Sequence, residues 1–188
     1  MSNENSFLPQ DYEQPAGGGG AYTKLKSGET RFRIVSNAMT GWLGWSADNK
    51  PHRGRKKEDL DATTLREKPR HFWAFLIWNY QTKQIEIFEI TQRTIQDAIM
   101  ALYKSSDWGD PKGYDIVVTK TGEGMETSYH IQGTPKSQLE PDKVLEAYTA
   151  QPVNIAALFS GDDPFAVAES DRDFLIEEFK TAIDNLPF

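Results

Sequence analysis

The sequence RHFWAFLIWNYQTKQIEIFEI, which runs from Arg70 to Ile90, decides how the rest of the chain is interpreted. Aromatic and β-branched residues dominate it, and such residues favour strands over helices. A polar turn at residues 81–83 divides it, so we predict a two-stranded hairpin. The first strand is apolar on both faces, whereas a strand of a half-buried sheet alternates apolar and polar residues. Its second face is therefore either buried as well or an aromatic platform for a ligand.

Shorter patterns on both sides of the hairpin predict three more strands and a helix. The alternating run of residues 31–34, RFRI, predicts a strand whose two arginines share the face opposite the core. After the hairpin, Thr91 is a suitable N-cap for a helix with one apolar face. Residues 114–120 and 127–132 then alternate as two strands around a glycine turn. This order is that of the OB-fold, a small barrel whose ligand face includes its second and third strands. We therefore predict a mainly β protein, with a five-stranded OB-fold barrel, a helix between strands 3 and 4, and a helical acidic C-terminal segment.

Composition and charge divide the chain into three regions. Residues 1–20 end in four glycines and carry three acidic residues and no basic ones, which predicts a disordered N-terminal tail. Residues 21–136, the predicted OB-fold domain, carry 18 basic and 14 acidic residues, a net charge of +4. Residues 137–188 carry 3 basic and 11 acidic residues, a net charge of −8, with helical spacing of apolar residues over 170–184. A basic domain between acidic ends suggests a polyanionic partner.

Several classes of function have little support in the sequence. The chain has no Cys, and its three His are far apart, so neither thiolate sites nor a structural zinc is expected. The absence of Cys suits a reducing cytoplasm. No apolar run has membrane-spanning length, and residues 1–10 lack a signal-peptide core. Pro141-Asp142 and Glu178-Phe179-Lys180 superficially match the carboxylate and lysine set of metal-dependent nucleases. The match is weak, so we predict no enzyme activity, no metal and no cofactor.

The side chains that remain fit a binder of unpaired nucleic acid, which needs stacking surfaces and a positively charged groove. The candidates for stacking are Trp42, Trp45, Trp73, Trp78, Tyr80, Phe88 and Tyr129. The candidates for phosphate contact are Lys24, Lys26, Arg31, Arg33, Arg53, Arg55, Lys56, Lys57, Arg70 and Lys120. Some of these aromatic residues must belong to the core. If Ile85 and Ile87 face inward with Trp73 and Phe75, then Trp78 and Phe88 face the ligand, and a shift of one residue reverses this assignment.

Spaced matches over about residues 21–136 also resemble bacteriophage single-stranded DNA-binding proteins. They are KLKSGETRFRI at 24–34, FWAF at 72–75, WNY at 78–80, EITQ at 89–92 and DWGDP at 107–111. These proteins are OB-fold proteins of phage DNA replication. The resemblance implies binding and protection of single-stranded DNA without sequence preference, during replication, recombination or repair, in the cytoplasm of a host cell.

The last five residues, Asp184-Asn185-Leu186-Pro187-Phe188, resemble the C-terminal tip of bacterial single-stranded DNA-binding proteins. That resemblance implies a partner-recruiting tip made of Asp184, Leu186, Pro187 and Phe188, although Asn185 stands where the pattern has an acid. Alternatively, residues 170–184 form an amphipathic helix that docks on the barrel. The acidic segment is also a candidate competitor for the basic groove.

A third class of function is an OB-fold protein-interaction module whose aromatic face docks a protein. Oligomeric state and the choice between DNA and RNA stay open.

Overall fold

The computed structural model describes residues 21–135 and 139–187. The predicted tail at 1–20, the predicted boundary at 136/137 and Phe188 lie outside the described residues. The strands are β1 Ala21–Tyr22, β2 Gly28–Ile34, β3 Met39–Trp45, β4 Pro51–Gly54, β5 Arg70–Asn79, β6 Gln84–Ile90, β7 Asp115–Thr121 and β8 Ser128–Thr134. The helices are α1 Arg93–Lys104, α2 Pro141–Ala150 and α3 Glu169–Asp184, with short 3-10 turns between elements.

Strand β5 is the centre of the sheet. It pairs with β6 along one edge and with both β2 and β3 along the other, antiparallel in each case. On that second edge Ile34 lies opposite Ile77 and Met39 lies opposite Ala74, so the chain between β2 and β3 has more residues than the facing part of β5. Extra residues on one strand of a pair form a bulge and bend the strand. Strands β2 and β3 are thus one long strand that is interrupted by a bulge at residues 35–38.

The main path of the sheet has the order β1-β6-β5-β2-β7-β8, and the pair β3–β4 branches from β5. The mainly β class and the helix after the hairpin are confirmed, because α1 follows β6 and precedes β7. The predicted closed barrel of five strands is not shown. Among the described residues there are eight strands in an open sheet, and no pairing joins β6 to β8. Helix α1 packs against both of these strands.

The start of helix α1 differs by one residue from the prediction. Gln92, not Thr91, is the N-cap, because the Gln92 carbonyl accepts hydrogen bonds from the backbone N–H of Ile95 and Gln96. The side chain of Gln92 makes no cap bond to the helix, and Ile90 and Ile95 are both buried in the same cluster. The packing of two buried isoleucines therefore positions the helix without a side-chain cap.

Two apolar clusters lie on opposite faces of β5, and both are buried. The inner cluster lies between the sheet and α1, and its β5 members are Phe75 and Ile77. The outer cluster lies between the sheet and residues 139–187, and its β5 members are Phe72, Ala74, Leu76 and Trp78. The second face of the hairpin is thus covered by the chain itself. Full burial of one large apolar side chain stabilises a fold by about 1.5–3 kcal/mol, so both clusters are major sources of stability.

The C-terminal segment is helical, as predicted, and it is docked on the sheet. The Tyr148 ring of α2 stacks on the Phe179 ring of α3, with centroids 3.8 Å apart and planes 10° from parallel. Phe179, Ile183 and Leu186 are buried in the outer cluster. Of the two alternatives for this segment, the docked amphipathic helix agrees with the structure.

Candidate nucleic-acid interface

Three of the predicted contact residues are buried, so they are excluded from the candidate contact surface. Trp78 is 7% exposed, Phe88 is 2% exposed and Arg33 is fully buried. In the hairpin, Trp78 lies opposite Ile85 and Phe75 lies opposite Phe88, and directly opposite residues share a face of the sheet. Ile85 and Ile87 therefore face the outer cluster with Trp78, and Phe88 faces the inner cluster with Phe75. The premise that Ile85 and Ile87 lie on the side of Trp73 and Phe75 was wrong, because the register places them on the other face.

The arginines of β2 belong to a charged network that is centred on Asp115. This carboxylate accepts hydrogen bonds from Arg31 at 2.7 Å, from Arg33 at 2.9 Å and from the Tyr80 hydroxyl at 2.7 Å. Burial, followed by the bond to Asp115, raises the pKa of Tyr80. The network joins β2 to β7, and removal of one partner from a buried charge pair is strongly destabilising. We therefore assign Arg31, Arg33 and Tyr80 to the stability of the fold rather than to DNA contact.

An aromatic surface remains accessible where β3 and β5 extend past the inner cluster. Trp42 lies opposite His71 and Thr40 lies opposite Trp73, so all four side chains share one face. We call this surface the Trp42 strip. The Trp42 and His71 rings meet edge to face with centroids 5.4 Å apart, and the ammonium group of Lys57 lies 5.4 Å from the centroid of the Trp42 indole. Trp42 and Trp73 are half-buried, and His71 is exposed.

Glycines on β3 allow the strip to form. A Cβ atom at Gly41 would lie 2.6 Å from the Gly54 carbonyl oxygen and 2.9 Å from ring atoms of Phe72 and Phe159. Only glycine therefore fits at this position without movement of the backbone of β4. The neighbouring Trp42 points to the opposite face, because successive side chains alternate along a strand.

Beside the strip lies an apolar cleft of about 560 Å³. It opens between the bulge at residues 35–38 and helix α1, and Trp73, His71 and Thr40 of the strip line one side of it. Tyr103 and Met100 of α1 line the other side, and Tyr103 is 56% exposed. Cavities of this volume with mainly apolar walls are the usual form of ligand sites.

Comparisons with protein-family models, curated proteins and solved structures found no match. The resemblance to phage single-stranded DNA-binding proteins therefore stays a prediction, and the arguments for function rest on the geometry of this chain.

Trp45 lies on the opposite face of β3 from Trp42, in different surroundings. It borders a cleft of about 770 Å³ that also contains Arg53, Asp162 and Asp163. Arg53 is held at 2.7 Å by Glu89. The carboxylates of Glu89, Asp162 and Asp163 outnumber the cations Arg53 and Lys50, and Lys50 is paired with Asp48 at 3.2 Å. The cleft is therefore a poor site for a phosphate chain, because like charges repel. Trp45 and Arg53 are therefore weaker candidates than the sequence suggested.

The other predicted basic residues are spread over the surface. Arg55 lies over the Phe159 ring, 4.4 Å from its centroid, and Lys56 is exposed next to Lys57. Lys56 and Lys57 form the basic arm, which borders the Trp42 strip through Lys57, whereas Arg55 lies with Phe159 on the side of the outer cluster. The other basic candidates lie elsewhere: Lys24 and Lys26 are exposed, Arg70 pairs with Glu67 at 3.4 Å, and Lys120 donates to the Leu25 carbonyl at 3.3 Å. Tyr129, a candidate for stacking, is half-buried against the inner cluster.

Sequence reasoning missed His71, Tyr103 and the short strand β4. His71 precedes Trp73 by two residues, which places both on one face of a strand, and this spacing was the available signal. Residues 51–54 show no alternating strand pattern in the sequence. The structure instead has β4, Pro51–Gly54, paired with β3, because Trp42 and Leu43 face Gly54 and Arg53 in an antiparallel ladder.

The other predicted sites are placed as follows. Asp142 and Glu178 are exposed on α2 and α3, and the described residues contain no group of three or more His, Cys, Asp or Glu suited to a metal ion. At the C-terminal tip, Asp184 and Pro187 are exposed, but Leu186 is buried in the outer cluster. Of the helices that the structure describes, none is long and apolar enough to span a membrane.

Proposed function

We propose that this protein binds single-stranded DNA without sequence preference, with the Trp42 strip as its stacking surface and the basic arm as its phosphate contact. The observation that supports this most strongly is the Lys57–Trp42–His71 arrangement, in which a cation and two rings meet on an accessible face. Unpaired nucleotides present both a π face and a phosphate, and such an arrangement provides for each.

The site lies on the face of β5 that is not covered by the C-terminal segment. On the covered face, Phe72 and Ile87 are fully buried beneath residues 139–187. A strand of DNA on that face would have to displace an apolar core, at a cost of several kcal/mol. The strip is accessible without any such change. We therefore place the bound strand along β3, β5 and the basic arm.

We also propose an OB-fold relationship and a phage role for the chain. The pairings of β2–β3 with β5, β5 with β6, β2 with β7 and β7 with β8, with α1 after β6, support the first proposal. The spaced sequence matches support the second, with replication, recombination or repair in a host cell as the setting. The protein-interaction alternative has less support, because the apolar face that would dock a partner is occupied by the chain itself.

A pair of tryptophans in one strand tests the proposed site. Trp42 and Trp45 are both half-buried in β3 but lie on opposite faces. Because a stacked base contributes about 1–3 kcal/mol, Trp42→Ala should weaken the binding of an oligo(dT) by about five- to 150-fold. Trp45→Ala should change it by less than about twofold, since no base stacks there. The measurement is fluorescence anisotropy of a labelled oligo(dT), with unfolding in urea as a check that both variants fold.

The opposite ranking would contradict the site, because it would place the strand on the acidic cleft beside Trp45. Failure of the unaltered protein to bind oligo(dT) at low salt would refute the function itself. A protein-docking module would show this second result.

A further inference from the structure

The cleft beside the Trp42 strip contains polar groups whose positions are set by the fold. Asn37 and Lys112 line it from two different elements, and the ammonium group of Lys112 donates to the Asn37 side-chain oxygen at 2.7 Å. This bond turns the NH₂ group of Asn37 away from Lys112. Asp110 also lines the cleft, with its carboxylate 3.6 Å from Lys112. The polar side of the cleft thus offers both donors and an acceptor.

The apolar walls suit a flat ring. Trp73 and Phe75 come from β5, and Met100 and Tyr103 come from α1 on the facing side. Aromatic walls and a few fixed polar groups are how proteins hold a base that has left its stack. A phosphate group would fit less well, because the Asp110 carboxylate would repel it.

The cleft is also continuous with the proposed path of the strand. Thr40, His71 and Trp73 belong both to the strip and to the cleft wall, so a base that leaves the Trp42 ring meets the cleft next. We propose that the cleft takes up one unstacked base of the bound strand, held against Trp73 and Tyr103, with its polar edge towards Asn37, Lys112 and Asp110. This proposal rests on the proposed function and adds a second subsite to it.

Photochemical cross-linking tests the subsite. An oligo(dT) in which one thymine is replaced by 5-iodouracil is irradiated with the full-length protein, and the modified residues in tryptic peptides are located by tandem mass spectrometry. Tyr103, a cleft residue outside the strip, falls in peptide 94–104, whereas the strip residues fall in peptides 34–53 and 71–83. We expect cross-links at Tyr103 in addition to those at the strip residues Trp42, His71 and Trp73. Cross-links confined to the Trp42 strip would overturn the subsite and leave the proposed function intact.

A substitution that fills the cleft gives an independent test. Ala38 is exposed in the bulge and lines the cleft, so Ala38→Trp should block the cleft without disturbing the core. Ala47→Trp is the matched control, because Ala47 is also exposed but does not line the cleft. We expect Ala38→Trp to lower oligo(dT) affinity by about tenfold and to abolish cross-links at Tyr103, with Trp42 cross-links retained.

Equal affinities for Ala38→Trp, Ala47→Trp and the unaltered protein would refute the subsite. Absence of oligo(dT) binding by the unaltered protein would refute the proposed function, and the subsite with it. The two failures are therefore distinguishable.

Discussion

Replacement of Phe179 by Ala tests whether the C-terminal segment is a permanent part of the core. Phe179 is 5% exposed and stacks on Tyr148 in the outer cluster. If the segment were a displaceable acidic tail, as its charge of −8 first suggested, the substitution would have little effect on stability. If the segment is core, the substitution leaves a cavity beneath both helices.

The expected destabilisation follows from the volume of the phenyl ring and from its stacking on Tyr148. Truncation of a buried Phe to Ala costs about 3–5 kcal/mol, through the transfer free energy of the removed atoms and the cavity that remains. The aromatic pair with Tyr148 contributes about 0.5–1.5 kcal/mol within that total. We expect a decrease of about 3–5 kcal/mol in the free energy of unfolding, a large fraction of the roughly 5–15 kcal/mol typical of a folded domain.

The assay is unfolding in urea, followed by tryptophan fluorescence and by circular dichroism. Phe174→Ala is the matched control, because Phe174 is on the same helix but is 69% exposed. Exposed substitutions of this kind change stability by about 0.5 kcal/mol or less. A cost for Phe179→Ala no greater than that for Phe174→Ala would refute the docked arrangement. It would also restore the idea of a tail that competes with DNA for the basic groove.

The same reasoning changes the expectation for a deletion after Gly161. On charge alone, removal of an acidic tail would tighten binding of DNA at low salt. The structure shows that this deletion also removes Phe179, Ile183 and Leu186 from the outer cluster. We therefore expect an unfolded or aggregating product rather than a tighter binder.

Three further predictions concern packing, pH and salt. Gly41→Ala should destabilise the protein by about 1–3 kcal/mol in urea unfolding, because its Cβ meets the backbone of Gly54. Gly44→Ala should destabilise it less, because that Cβ meets only the flexible end of a leucine side chain. Equal decreases in stability would contradict this packing. Burial, helped by a nearby carboxylate, raises the pKa of Tyr114 to about 12. The contribution of Tyr114 to stability is therefore complete below about pH 10 and is lost as the pH rises to 12. Tyr114→Phe should make the fall in urea midpoint between about pH 9 and 12 shallower, and an unchanged slope would refute this. Lys57→Gln should reduce the slope of the logarithm of the oligo(dT) binding constant against the logarithm of the salt concentration by about 0.7, as expected for one phosphate contact fewer. An unchanged slope would show that Lys57 does not contact the bound strand.

The local elements were largely predictable from the sequence. Alternation and β-branched residues identified the hairpin of β5 and β6, and the polar residues 81–83 identified its turn. Helical spacing identified α1 and α3. Strand β4 was not predictable, because its residues Pro51–Gly54 have low strand propensity and pair only by virtue of their register with β3.

The assignment of faces was not predictable, since it depends on contacts between distant parts of the chain. The sequence showed that both faces of β5 are apolar, but not that residues 139–187 cover one of them. Burial of Trp78 and access to Trp73 follow from that one arrangement. Likewise, His71 became a candidate only when the register placed it opposite Trp42.

The cover on β5 is made from a part of the chain that is synthesised much later. Ile87 is translated 92 positions before Phe179. At about 5–20 residues per second, the nascent sheet waits roughly 5 to 20 seconds for the helices that shield it. During that interval the apolar face of the sheet is exposed to other nascent chains. Faster elongation shortens this exposure, because the cover forms only after residues 139–187 have been translated.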